Sequence, residues 1–161
     1  MKEEKKELLE VHYGKEQLYN WHCGPYWSKF LAEIRDNEKI YGIKCPKCGR
    51  VYMPPRSVCG RCFTEMNEWV ELGNEGVIDG FTVVKFPYIN PSTGEMKNIP
   101  FTSVWIRLDG ADTCLIHYLD EKDEEKIEVG MRVKAVFRED KKGDLYYDIK
   151  HFKIADRFKY D

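Results

Sequence analysis

The sequence predicts a mainly β protein in three parts: an N-terminal helical arm over residues 1–37, a metal-binding ribbon over 38–68 and a five-stranded OB-type β-barrel over 69–161. Three observations predict it. Two Cys-x-x-Cys pairs, Cys45/Cys48 and Cys59/Cys62, stand ten residues apart. A stripe of apolar residues at helical spacing precedes them, and five stretches of β-prone residues with turn formers between them follow.

The arm begins with mixed charge, Lys2 to Asn20, in which Leu8, Leu9, Val11 and Leu18 are interspersed. An aromatic corner follows at Trp21-His22-Cys23-Gly24-Pro25-Tyr26-Trp27, and Pro25 suits the first turn of a helix. Trp27, Phe30, Leu31 and Ile34 then repeat at three and four residues, with Lys29, Glu33, Arg35 and Asp36 elsewhere on the wheel. Such a stripe packs against a core or, at this density of large aromatics, against a partner. Trp27 and Phe30 are the candidates for partner contact.

In the ribbon, Ile40 to Ile43 reads as a strand entering the first cysteine pair and Arg50 to Met53 as the return strand before Pro54-Pro55. Two thiolates separated by two residues curl the backbone into a knuckle that offers both sulfurs to one ion, and two knuckles complete a tetrahedral site. Two disulfides fit poorly, because no signal peptide precedes the pairs, and idle thiols seldom fall into two knuckles. Iron is the rival to zinc, since a rubredoxin site uses the same ligands. Gly49 follows the first knuckle as in rubredoxins, but Phe63 stands where the second glycine would be, which favours zinc. Lys44, Lys47, Arg50, Arg56 and Arg61 are accompanied by no acidic residue between 44 and 62. These cations either balance the metal thiolates or meet an acidic or phosphate-bearing ligand, for which Arg50, Arg56 and Arg61 are the candidates.

Trp69 to Leu72 leads into the barrel, whose strands are expected at Gly76 to Val84, Phe101 to Leu108, Thr113 to Leu119, Met131 to Arg138 and Leu145 to Phe152. Asp109-Gly110 and Lys142-Gly143-Asp144 suit tight turns, and Pro87 to Gly94 suits a longer binding loop. Alternation turns Val104, Ile106, Leu108, Val133, Ala135 and Phe137 inward. It leaves Trp105 and Arg107 outside with Arg132, Lys134 and Arg138, an outer basic patch.

Aromatics and cations on an OB sheet face are what a single-strand nucleic-acid module needs. Against that reading, the net charge is −2 and the run Asp120-Glu121-Lys122-Asp123-Glu124-Glu125 would repel phosphate. No window approaches the ~18 apolar residues of a membrane span, so the chain reads as soluble and cytoplasmic. Cys23 and Cys114 read as reduced packing residues. The histidines are scattered, Cys114 and His117 fall on opposite faces of one strand, and no nucleophile, base or phosphate-cradling loop is recognisable, so no catalytic residue is expected.

The order of parts is itself a signature. Gly42-Ile43-Lys44-Cys45-Pro46-Lys47-Cys48-Gly49, Pro54-Pro55-Arg56, Cys59-Gly60-Arg61-Cys62, Trp69, Gly76, Pro100-Phe101, Leu108-Asp109-Gly110 and Val129-Gly130 before Val133 resemble the acyl-CoA-associated OB-fold proteins with an N-terminal rubredoxin-like zinc ribbon. That resemblance implies one zinc on the four cysteines. It also implies a cytoplasmic, non-catalytic subunit in a hetero-oligomer with a thiolase-like catalytic subunit, assisting assembly and CoA-thioester binding. The small subunits of benzoylsuccinyl-CoA thiolases, which act in anaerobic toluene degradation, are similar proteins.

Overall fold

Gly24–Asn37 form a helix, α1, entered through Pro25 and closed at Glu38, which takes the left-handed conformation at φ 56° and donates its N–H to the Ile34 carbonyl. The computed structural model describes residues 22–89 and 94–156. The mixed-charge segment with Trp21, and residues 90–93 of the expected binding loop, lie outside the described residues.

One face of α1 is consumed by the core. Phe30 and Ile34 are fully buried and share a cluster with Ile40, Val51, Met53 and Leu72 of the ribbon and with Leu108, Leu115 and Leu145 of the barrel. Helix, ribbon base and barrel are therefore joined by one apolar core. Tyr26 fixes the helix start to the ribbon, stacking on Trp69 with ring centroids 5.9 Å apart and donating its hydroxyl to the Met66 carbonyl at 3.0 Å.

The ribbon sheet has three strands, β1 (Ile40–Lys44), β2 (Val51–Tyr52) and β3 (Glu68–Leu72), in the order β2-β1-β3. Trp69 to Leu72, expected as the lead-in to the barrel, thus belongs to the ribbon sheet, paired along the whole length of β1. The ribbon is tied to the barrel at one turn. Asp112 Oδ2 accepts from Val51 N at 2.8 Å, its own N–H donates to Val51 O, and Thr113 Oγ1 exchanges hydrogen bonds with Met53 N and O at 2.7 and 2.8 Å.

β4 (Glu75–Val84), β5 (Phe101–Leu108), β6 (Leu115–Leu119), β7 (Arg132–Phe137) and β8 (Ile149–Asp156) close a barrel in the order β4-β5-β6-β8-β7, with β7 returning to β4. Val104, Ile106, Leu108, Val133 and Ala135 point inward as their alternation predicts, while Phe137 is only partly covered. A bulge between Ile78 and Gly80 bends β4 where its glycine permits it.

The last strand differs from expectation at its start. Leu145–Asp148 form a single helical turn, α2, because Asp144 caps it, its carboxylate accepting from Tyr146 N at 2.9 Å and Tyr147 N at 3.2 Å. Buried Asp148 accepts from Lys142 N and Gly143 N, shaping the preceding loop into something wider than a tight hairpin turn.

Candidate metal centre and apolar face

The knuckles repeat one geometry. Gly49 N donates to Cys45 O and Phe63 N to Cys59 O, both at 2.9 Å, while Cys45 N and Cys59 N donate forward to Arg50 O and Thr64 O. Each knuckle ends in a left-handed residue, Gly49 at φ 73° and Phe63 at φ 52°. Phe63 thus adopts the conformation that glycine takes in the first knuckle, and its identity does not separate a zinc from an iron geometry. The four sulfurs of Cys45, Cys48, Cys59 and Cys62 lie within 4.8 Å of one another, and those of Cys48 and Cys59 are 3.8 Å apart. A tetrahedral ion bound at about 2.3 Å to each sulfur separates them by about 3.8 Å, so the residues fit a four-thiolate ion.

The surroundings favour bound charge. The Tyr52 hydroxyl donates to Cys59 Sγ at 3.3 Å, and this hydrogen bond pulls the Cys59 thiol down to about 6. The Cys48 thiol pushes Cys62 in the opposite direction, up to about 12. Four thiols packed this closely ionise together only when a cation lies among them.

The other candidate residues separate. Trp27 is exposed on the outer side of α1, whereas Phe30 is fully buried, touching Trp27 edge-on at 5.6 Å. Phe30 supports the Trp27 ring and has no surface of its own to offer a partner, because the stripe it belongs to faces the shared core. Arg50 is turned to the ribbon–barrel junction, donating to Asp112 O at 3.2 Å. Arg56 is exposed over the Tyr52 ring at 4.8 Å, and Arg61 is exposed on the second knuckle.

On the barrel, the outward cations are largely neutralised. Arg107 pairs with Asp79 at 3.0 Å, Arg132 with Asp109 at 2.6 Å, and Lys134 with Glu75 at 2.9 Å, while Arg138 lies over the Tyr147 ring. The sequence pattern of alternating cations therefore corresponds to ion pairs across strands and not to an open phosphate track. Cys114 lies in one of these pairs, its thiol donating to Asp79 Oδ2 at 3.1 Å and pushed up to about 11 by burial and the carboxylate. His117 points inward, almost fully buried and stacked on Tyr146 at 5.2 Å, so the two do not meet. Burial holds the His117 imidazole below its usual range.

What alternation should have flagged is the outer face itself. Two clefts, of about 450 and 350 Å³, open on it and share Ile116 and Tyr146. The first runs from Trp27, Leu31 and Pro54 past Cys114, and the second continues to Phe86, Tyr88, Phe101 and Tyr118. Trp27, Ile116, Tyr146 and Phe86 are all exposed along this line. The signal lay in solvent-side positions occupied by Phe101, Trp105, Ile116 and Tyr118 where polar residues are usual.

Residues 32–67 match the family model of the ChsH2 rubredoxin-like zinc ribbon domain, and residues 69–138 that of the ChsH2 C-terminal OB-fold domain. A DUF35 domain-containing scaffold protein of Methanocaldococcus jannaschii is 32% identical over 65% of this chain and 72% of its own length. One of Methanothermobacter thermautotrophicus, named likewise, is 30% identical over 65% of this chain and 76% of its own. Among solved structures, a DUF35-family protein of unknown function from Sulfolobus solfataricus superposes with TM-score 0.58 at 27% identity, over 81% of this chain and 86% of that one. The Ltp2-ChsH2(DUF35) aldolase superposes with the same TM-score at 22% identity, over 80% and 94%, a likeness of fold.

Proposed function

We propose, from the premise that the chain belongs to the DUF35 family of zinc-ribbon and OB-fold proteins, that it is the non-catalytic scaffold subunit of a thiolase-type acyl-CoA enzyme. One zinc holds Cys45, Cys48, Cys59 and Cys62 and supplies structural closure of the ribbon, with no part in the chemistry. The chain works in the cytoplasm and assists assembly and binding of the CoA thioester. The finer assignment, thiolysis of benzoylsuccinyl-CoA in anaerobic aromatic degradation, follows the resemblance drawn from the sequence.

The observation that carries this reading is the continuous apolar face from Trp27 through Ile116 and Tyr146 to Phe86. Monomeric proteins seldom expose aromatics in such continuity, and aromatic residues dominate the centres of protein interfaces. The partner supplies the nucleophilic cysteine, the acid/base groups and the oxyanion hole that thiolysis needs. Arg56 and Arg61 lie apart from this face on the ribbon and serve as ancillary contacts.

The test is native mass spectrometry of the chain isolated from the cells that make it. A stoichiometric thiolase-fold subunit in the complex, lost in Ile116→Glu and retained in Val129→Glu, is the expected result. An isolated monomer, or a complex with single-stranded nucleic acid, contradicts the reading.

A further inference from the structure

Outward-facing residues of β4, β5 and β6 form three rows across the barrel: Val84 beside Phe101, then Thr82, Ser103 and Tyr118, then Gly80, Trp105 and Ile116. The middle row is small at Thr82 and Ser103. Between the larger side chains that flank it lies the cleft of about 350 Å³, within the range of small-molecule sites.

Its rings form a chain. Tyr88 is 6.1 Å from Phe101, Phe101 is 5.8 Å from Tyr118 and Tyr118 is 5.9 Å from Tyr146, centroid to centroid. Lys97 stands at this chain, its Nζ 4.5 Å from the Phe101 centroid and 3.9 Å from that of Tyr118, and donates to the Tyr118 hydroxyl. Lys85, Arg107, Arg132 and Lys134 each have a carboxylate partner. Lys97 has no carboxylate partner among the described residues, and its ammonium carries three donors, of which the Tyr118 hydroxyl takes one.

We propose that this cleft binds a small aromatic carboxylate, its ring against Phe101, Tyr118 and Tyr146 and its carboxylate on Lys97. Flat rings stack on an aromatic wall, and a half-buried ammonium makes a charge-assisted hydrogen bond to a carboxylate. A phosphate chain fits less well. Glu124 already holds Lys85 at 2.8 Å, and the single ammonium of Lys97 matches one carboxylate and not the several charges of a phosphate chain. The cleft lies on the face assigned above to the partner subunit, so the assignment concerns the free chain, in which that face is open.

Calorimetric titration of the full chain with 3-phenylpropionate, hexanoate, 3-phenylpropan-1-ol and oligothymidylate tests it. The aromatic acid is expected to bind more tightly than the other three. Lys97→Met should weaken that binding by about tenfold, the loss of one charge-assisted hydrogen bond, and leave the alcohol unaffected. Ser103→Phe should fill the hollow and abolish binding with an unchanged melting profile. Absence of binding, hexanoate binding as tightly as the aromatic acid, indifference to Lys97→Met, or oligothymidylate binding most tightly would overturn the proposal.

Discussion

The Tyr52 hydroxyl lies 3.3 Å from Cys59 Sγ, the one side-chain oxygen donor to a knuckle sulfur among the described residues. Outer hydrogen bonds of this kind orient a metal ligand and hold its charge. Tyr52→Phe should release metal to a competing chelator with about ten-fold lower apparent affinity, the usual range for loss of such a partner. Cys45→Ser should lose the ion and melt the ribbon. Elemental analysis of wild-type protein should give about one zinc per chain, and retention unaltered in Tyr52→Phe would remove the hydroxyl from the site's function.

Gly76 meets β5 without room for a side chain: a Cβ there would stand 2.4 Å from Arg107 O and 2.8 Å from Leu108 Cα. Both obstacles are backbone, so neither can swing aside. Gly76→Ala should cost about 1–3 kcal/mol, the range for forcing atoms into a packed contact. Chemical denaturation measures it, and an unchanged midpoint would mean that the two strands separate freely.

Trp27 and Phe30 touch, yet they should behave differently. Phe30→Ala opens a cavity in the shared core and should destabilise the fold by about 3–5 kcal/mol. Trp27→Ala removes a ring from the exposed cleft and should leave the melting temperature nearly unchanged while weakening the complex. Equal losses of stability in the two variants would place Trp27 in the core.

Burial lowers the folded-state pKa of His117 below its ordinary 6.5. The unfolded chain then binds more protons between the folded value and about 6.5, so stability rises with pH through that window and falls as the medium is acidified. His151 is also lowered by burial, opposed by Asp120, and adds to the same slope. Comparing melting temperatures from pH 7.5 to 5.5 for wild type and His117→Phe isolates the first contribution. The variant should show the shallower slope, and identical slopes would show that His117 is not kept neutral by the fold.

The parts of the molecule legible in the sequence are those fixed by local chemistry. Two residues between cysteines dictate a knuckle, and a two-residue period on β5 and β7 dictates which of Val104, Trp105, Val133 and Lys134 faces in. Non-local partners were not legible. Trp69 to Leu72 has the composition of a barrel strand and joins the ribbon because β1 offers it a complete antiparallel edge. Tyr146 and Tyr147 have strand propensity and turn helical because Asp144 caps them. The wheel identified the apolar stripe of α1 but could not say that Phe30 meets the barrel core while Trp27 meets solvent. The ring chain from Tyr88 to Tyr146 exists only once β4, β5, β6 and α2 are side by side.

Acyl-CoA thiolysis measured with the isolated chain, with its separated thiolase-type partner and with the two recombined decides whether this chain is a scaffold that completes another subunit's acyl-CoA chemistry. A scaffold role gives no turnover by the isolated chain, little by the partner alone, and recovery on mixing that Ile116→Glu prevents. Turnover by the isolated chain, or a partner fully active and stable without it, would rule the scaffold role out.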